Sequence, residues 1–156
     1  MTRTVQELMQ LNGKVALVTG GAGWLGTAMC EALAESGAQV IVASRNLESC
    51  QKLAERLPDN AMAVPLDVNQ EDAIRTCIDQ VVSETGKIDV LVNNAGYGLW
   101  GPLETLSDQE LVNQFQTNLF GLMSLTRTLL PQIRSSENGK IINVSSVLGR
   151  LGTPFN

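Results

Sequence analysis

The chain has 156 residues, 44% of them hydrophobic and 17% charged, with a formal net charge of −5. That is material for one soluble domain with a core, and the acidity works against nonspecific contact with nucleic-acid phosphates, so no nucleic-acid partner is expected. The sequence holds no histidine, which excludes Ser-His-Asp and Cys-His nucleophiles and most zinc constellations; no metal site is expected.

The opening residues show no apolar h-region with a small-residue cleavage site, and no run of about 18 apolar residues occurs anywhere, so neither a secretory signal nor a membrane span is expected. The three cysteines, Cys30, Cys50 and Cys77, are odd in number and irregular in spacing. They read as reduced thiols in a reducing compartment, the cytoplasm, with Cys30 and Cys77 as small core residues.

In chain order, residues 14–19 (KVALVT) are an apolar, β-branched run that stops at glycines, the pattern of a buried strand. Residues 24–36 carry Leu25, Ala28, Met29, Ala32 and Leu33 at helical spacing, with Gly37 as the stop. A second strand is expected over 39–43 (QVIVA), a helix over 47–57 ended by Pro58, and a third strand over 61–66. Asn69 is positioned to cap a helix that runs to about residue 85, with Ala73, Ile74, Cys77, Ile78, Val81 and Val82 on one face and Gly86 beyond it.

Residues 88–92 (IDVLV) form the fourth strand, and 96–105 an irregular loop. Ser107 and Glu110 fit a capping box for a long helix to about residue 134, with Leu111, Phe115, Leu119, Leu122, Leu129 and Ile133 inward. Residues 140–144 (KIINV) are the fifth strand, and 143–156 (NVSSVLGRLGTPFN) read as a strand running into the polar rim of a pocket. Apolar strands alternating with helices predict an α/β fold, a doubly wound parallel sheet of Rossmann type in order 3-2-1-4-5.

The string VTGGAGWLG joins the first strand to the first long helix, and Gly21, Gly23 and Gly26 satisfy G-x-G-x-x-G. In that context glycines permit a tight turn and close approach of backbone to a pyrophosphate, which the helix N-terminus then holds; a glycine-rich turn without a ligand is the alternative. After the second strand an NAD site usually carries an acid for the ribose hydroxyls. Here the place reads ASRN, so Ser44, Arg45 and Asn46 offer a cation suited to a 2′-phosphate, and NADP(H) is favoured over NAD(H). Arg45 as a plain solvated arginine stays open.

At this point the chain resembles the short-chain dehydrogenase/reductase family along nearly its whole length. The carrying strings are TGGAGWLG (19–26), LDV (66–68), NNAG (93–96), TNLFG (117–121) and IINVSS (141–146). The glycines fit the T-G-x-x-G-x-x-G spacing of extended members, because the family's main form, T-G-x-x-x-G-x-G, would place its middle glycine on Trp24. NNAG belongs to the main form.

The resemblance implies cofactor contacts by Thr19, Gly20, Gly21, Gly23, Trp24, Leu25, Gly26, Ser44, Arg45, Asn46, Asp67, Val68, Asn94, Ala95 and Gly96, with Asp67 meeting the adenine amino group. It also implies Ser146 as the catalytic serine that holds the substrate oxygen, and Asn118 as the asparagine that helps hold a proton-relay water. Ser145 and Ser146 as ordinary strand-end serines remain open.

Hydride passes between the nicotinamide and a carbonyl or alcohol carbon in this family, so an NADP(H)-dependent oxidoreductase acting on a secondary alcohol or ketone is expected. The family's Y-x-x-x-K tyrosine would fall just beyond Asn156. Residues 1–156 therefore read as a single NAD(P)-binding domain, truncated at its carboxyl-terminal side. Tyr97, the one tyrosine present, reads as a pocket-mouth residue with no lysine four positions on.

The alternative reading is a non-catalytic dinucleotide-binding or regulatory module, or a fragment whose cofactor site never forms. The loop YGLWGPLE (97–104) leans toward a hydrophobic substrate. A homo-oligomer through the 107–134 helix is expected, and the fifth strand should be an exposed sheet edge.

Overall fold

The β-branched runs build the sheet that the sequence predicts. The computed structural model describes residues 4–58 and 60–151; positions 152–156, part of the expected pocket rim, lie outside the described residues. Five strands, β1 (Val15–Thr19), β2 (Gln39–Ser44), β3 (Met62–Pro65), β4 (Val90–Asn93) and β5 (Lys140–Asn143), stand in the order β3-β2-β1-β4-β5. All neighbouring pairs are parallel.

Side-chain alternation sends each strand's apolar residues to two layers. Leu17, Ile41, Val64 and Leu91 pack against α4 (Glu71–Thr85) and α6 (Leu122–Ser135), whose contributions include Ile74, Cys77, Val81, Leu125 and Leu129. Ala16, Val18, Val40, Val42 and Val92 pack on the other side with Cys30 of α2 (Trp24–Glu35) and Cys50 and Leu53 of α3 (Leu47–Ala54). A short amino-terminal helix, α1 (Val5–Met9), precedes β1. The three cysteines are free and buried, and burial pushes the Cys30 and Cys77 thiols up to about 12, which makes them inert packing groups. No helix among the described residues is long and apolar enough to cross a membrane.

Four details differ from the sequence reading. The buried face of α2 is Gly26, Cys30 and Ala34; Leu25 is exposed, and Ala28 and Ala32 also face out. Small residues line that face because the helix starts directly against the glycine turn. Helix α3 ends at Ala54, short of the expected 57. Asn69 does not cap α4: the cap position is Gln70, with no side-chain hydrogen bond, and the Asn69 amide instead donates to Thr117 Oγ1 at 3.0 Å. The expected stops Gly37 and Gly86 do adopt left-handed backbone, at φ +92° and +77°.

The fourth difference is the largest. The capping box of Ser107 and Glu110 forms as expected and opens α5 (Asp108–Phe115), but the helix does not run on unbroken. Gln116–Gly121 is a π-helical segment before α6. The wider turn shifts the helical phase. The buried stripe beyond it is Gly121, Leu125, Leu129 and Ile133, while Phe115 and Leu119 stay exposed. Phe115, Phe120, Met123 and Val112 thus form an exposed apolar surface on α5, the π segment and α6. β5 is one of the two edge strands among the described strands, β3 being the other, and Ile142 on β5 is exposed.

Candidate functional site

A cleft of about 1150 Å³ opens at the carboxyl ends of β1, β2, β3 and β4, where open α/β sheets bind ligands. Its first wall is the glycine turn. Gly20 sits at φ +61°, a left-handed conformation that favours glycine, and a Cβ there would stand 3.1 Å from Ala95 Cα. Gly23 precedes α2 as a cap residue with no side-chain hydrogen bond to the helix. The first-turn N–H groups are thus left for a ligand to satisfy. Gly21 does something else: it is buried, and a Cβ would press on Val18 O, Val42 and Cys30. Trp24, the first residue of α2, is 92% exposed yet lines the cleft.

The end of β4 is tied to the end of β1 by one hydroxyl. Thr19 Oγ1 donates to Val92 O at 3.3 Å and accepts from Asn94 N at 2.9 Å and Ala95 N at 3.0 Å. The Asn94 amide returns the link, donating to Thr19 O and Gly20 O at 3.0 and 3.2 Å. Asn93, which is buried, donates to Thr126 Oγ1 at 3.0 Å and Asn143 Oδ1 at 2.9 Å. The first asparagine of NNAG therefore joins β4 to α6 and β5, and the second joins it to the glycine turn.

On the other side, Asn46 caps α3 by accepting from Ser49 N at 3.0 Å. Ser44 Oγ shares a hydrogen bond with Cys50 Sγ at 3.0 Å. Arg45 is exposed at the rim, and among the described residues it takes part in none of the ion pairs, which are made by Lys14, Lys52, Arg56, Arg75 and Lys87. Between these walls, Asp67 Oδ1 accepts from Asn69 N at 2.9 Å, and the residues from Leu66 to Asn69 line the cleft.

The fourteen sequence-derived cofactor residues other than Gly21 all line this cleft, as does Tyr97. Ser146 and Asn118 are not among its lining residues. Asn118 stands next to it: its Oδ1 accepts from Tyr97 N at 3.0 Å and its Nδ2 donates to Tyr97 O at 2.6 Å, a two-way clamp on the loop after β4. Ser146 lies beyond β5, where its hydroxyl accepts from Leu148 N at 3.2 Å and caps a short 3₁₀ turn, Val147–Gly149. The sequence reading missed Ser49, Asn69 and Thr117 as lining residues. Asn69 follows the end of β3 and Ser49 sits in the first turn of α3, both near strand ends, whereas Thr117 reaches the cleft from the π segment, far away in sequence.

Residues 14–156 match the family model described as short chain dehydrogenase. The chain is 36% identical over 142 residues to the 3-ketodihydrosphingosine reductase of Bacteroides thetaiotaomicron, covering 91% of this chain and 50% of that protein. It is 38% identical over 149 residues to the 3-oxoacyl-(acyl-carrier-protein) reductase FabG of Thermotoga maritima, covering 94% of this chain and 61% of that protein. With a sorbitol dehydrogenase of Cereibacter sphaeroides it shares 34% identity over 145 residues, 92% of this chain and 57% of that one. The chain thus spans roughly half to three-fifths of the length of these relatives. With the sheet order, the glycine turn and the NNAG network in one place, these matches establish that the chain belongs to the short-chain dehydrogenase family.

Proposed function

We propose that the protein is an NADP(H)-dependent oxidoreductase that interconverts a secondary alcohol and a ketone. The observation that carries this is the shared cleft: an uncapped helix N-terminus, a cation that makes no ion pair among the described residues and a strand-end carboxylate face one cavity. The donor set fits a dinucleotide. Free N–H groups of α2 suit a pyrophosphate, Arg45 suits a 2′-phosphate, and Asp67 keeps one carboxylate oxygen for an amino group. When bound, the nicotinamide supplies the hydride.

Under this reading each residue holds or orients. Thr19 and Asn94 lock the β1 and β4 ends together beneath the cofactor site. Asn118 fixes the Gly96–Tyr97 backbone, and Gly96 leaves room for that clamp, since a Cβ would stand 3.1 Å from Asn118 Oδ1 and press on it. Ser146 is assigned to the substrate oxygen. Trp100 and Leu103, both exposed on the loop after β4, support a hydrophobic alcohol or ketone. The relatives named as reductases of keto and oxo compounds support carbonyl chemistry. Residues 1–156 act as one dinucleotide-binding domain in this reading, and the cytoplasm is the compartment that suits three free thiols.

The test is a fluorescence titration with NADPH and NADH. Arg45→Asp should weaken NADPH by about 10–100-fold, the worth of one charge-assisted phosphate contact, with NADH unchanged or tighter. Wild-type binding of NADH as tight as NADPH would overturn the NADP(H) preference. Binding of neither would overturn the cofactor reading.

The reading includes self-association through the α5–α6 surface. Phe115→Asp combined with Phe120→Asp should shift the protein toward monomer in light scattering while leaving the fold unchanged by circular dichroism, since both side chains are exposed. A wild-type chain that is already monomeric would count against it.

A further inference from the structure

We infer that Thr117 is a positioning residue for the base-side wall of the cleft, acting through Asn69; the inference rests on the dinucleotide reading. The π segment Gln116–Gly121 grips two cleft loops at once. Asn118 holds the loop after β4 through the Tyr97 backbone. Its neighbour Thr117 holds the loop after β3, accepting from Asn69 Nδ2 at 3.0 Å. Gly121, at the end of the same segment, lies so close to that loop that a Cβ would stand 2.9 Å from Val68 O.

The Thr117 contact is the side-chain anchor of Asn69. Asn69 Oδ1 is shut off from solvent and has no hydrogen-bond partner. The amide thus hangs on one hydroxyl, and its loss would leave a sequestered amide with nothing. The Asn69 backbone N–H in turn donates to Asp67 Oδ1 at 2.9 Å. A chain of contacts therefore runs from Thr117 through Asn69 to the carboxylate assigned to the adenine amino group. Asp67, Val68, Asn69 and Thr117 all line the cleft. Thr117 also lies one residue from Asn118, so the segment sets the two loops, and the two ends of a bound dinucleotide, relative to each other.

The probe is ADP-ribose, which carries the adenosine half and no nicotinamide, titrated by calorimetry into the full chain. Thr117→Val keeps the shape and removes the hydroxyl; it should weaken ADP-ribose by about tenfold, the fold-change expected for one stranded polar group. Thr117→Ser should bind like wild type. Asn69→Ala should weaken binding similarly, and adding Thr117→Val to it should cost nothing more. If Thr117→Val binds as wild type does, if Thr117→Ser falls as far as Thr117→Val, or if the Asn69 and Thr117 losses simply add, the positioning role is wrong while the dinucleotide reading stands. A wild-type chain that does not bind ADP-ribose overturns both. Should Thr117→Val fail to fold, Thr117→Ser and Asn69→Ala decide the question: serine binding like wild type with alanine weakened supports the role, and any other pairing overturns it.

Discussion

Gly26→Ala is expected to destabilise the protein by about 3 kcal/mol and to lower NADPH affinity by about 100-fold or more. The Cβ has nowhere to go. It would collide with the Gly20 carbonyl oxygen and stand 2.8 Å from Gly21 Cα, both backbone atoms of the glycine turn. Backbone cannot rotate away as a side chain does, so α2 must move off the turn. That motion opens the core, because Cys30 and Ala34 share the buried face of α2 with Gly26. It also displaces the first-turn N–H groups that the pyrophosphate needs, and charge-assisted bonds to phosphate are sensitive to such shifts. Gly149→Ala is the control: among the described residues nothing lies within 4 Å of its added Cβ, and a change of no more than about 0.5 kcal/mol is expected. Chemical denaturation and NADPH titration of both variants measure this. A Gly26→Ala protein with wild-type stability and affinity would show that the turn and helix are not rigidly coupled.

The same residue explains what the sequence could and could not show. Strand runs such as QVIVA are legible because burial on both faces favours apolar residues at successive positions, and their alternation with helices points to a doubly wound parallel sheet with right-handed crossovers. The glycine turn, Arg45 and NNAG were legible because strand ends carry ligands. Helix faces were less so. A search for apolar residues at helical spacing includes Leu25, Ala28 and Ala32 on α2, which face out, alongside Met29 and Leu33, which do pack on the core; the fully buried face is the small Gly26, Cys30 and Ala34, with Gly26 set directly against the turn. On the long helix, periodicity failed at one place for one reason: the π segment adds a residue to a turn, so Phe115 and Leu119 fall out of phase with Leu125 and Leu129. Asn69 has the right chemistry for a cap, but Thr117, far away in sequence, takes its amide. No local pattern encodes that competition.

Asp89→Ala is expected to cost about 2–4 kcal/mol of stability while leaving cofactor affinity unchanged. Asp89 precedes β4, at the end of the sheet opposite the cleft, and is 1% exposed. Its carboxylate accepts from Val15 N at 2.9 Å and from Ser136 Oγ, and pairs with Lys14 Nζ at 3.4 Å and Lys87 Nζ at 3.1 Å. One side chain thus ties together the starts of β1 and β4 and the end of α6. Burial alone would raise its pKa; the hydrogen bonds from Ser136 and Val15 and the Lys87 ammonium outweigh that and lower it from an ordinary 3.8 to about 2. The sign follows from linkage. With the folded value below the unfolded one, the ionised carboxylate's contribution is complete above about pH 4 and disappears as pH falls through about 2. Asp89→Asn keeps an acceptor for the Val15 N–H but has no charge to lose, so its Tm should fall less steeply than wild type over that range. Parallel acid slopes for wild type and Asp89→Asn in thermal melts would show that the Lys14–Asp89–Lys87 cluster contributes no charge-dependent stability.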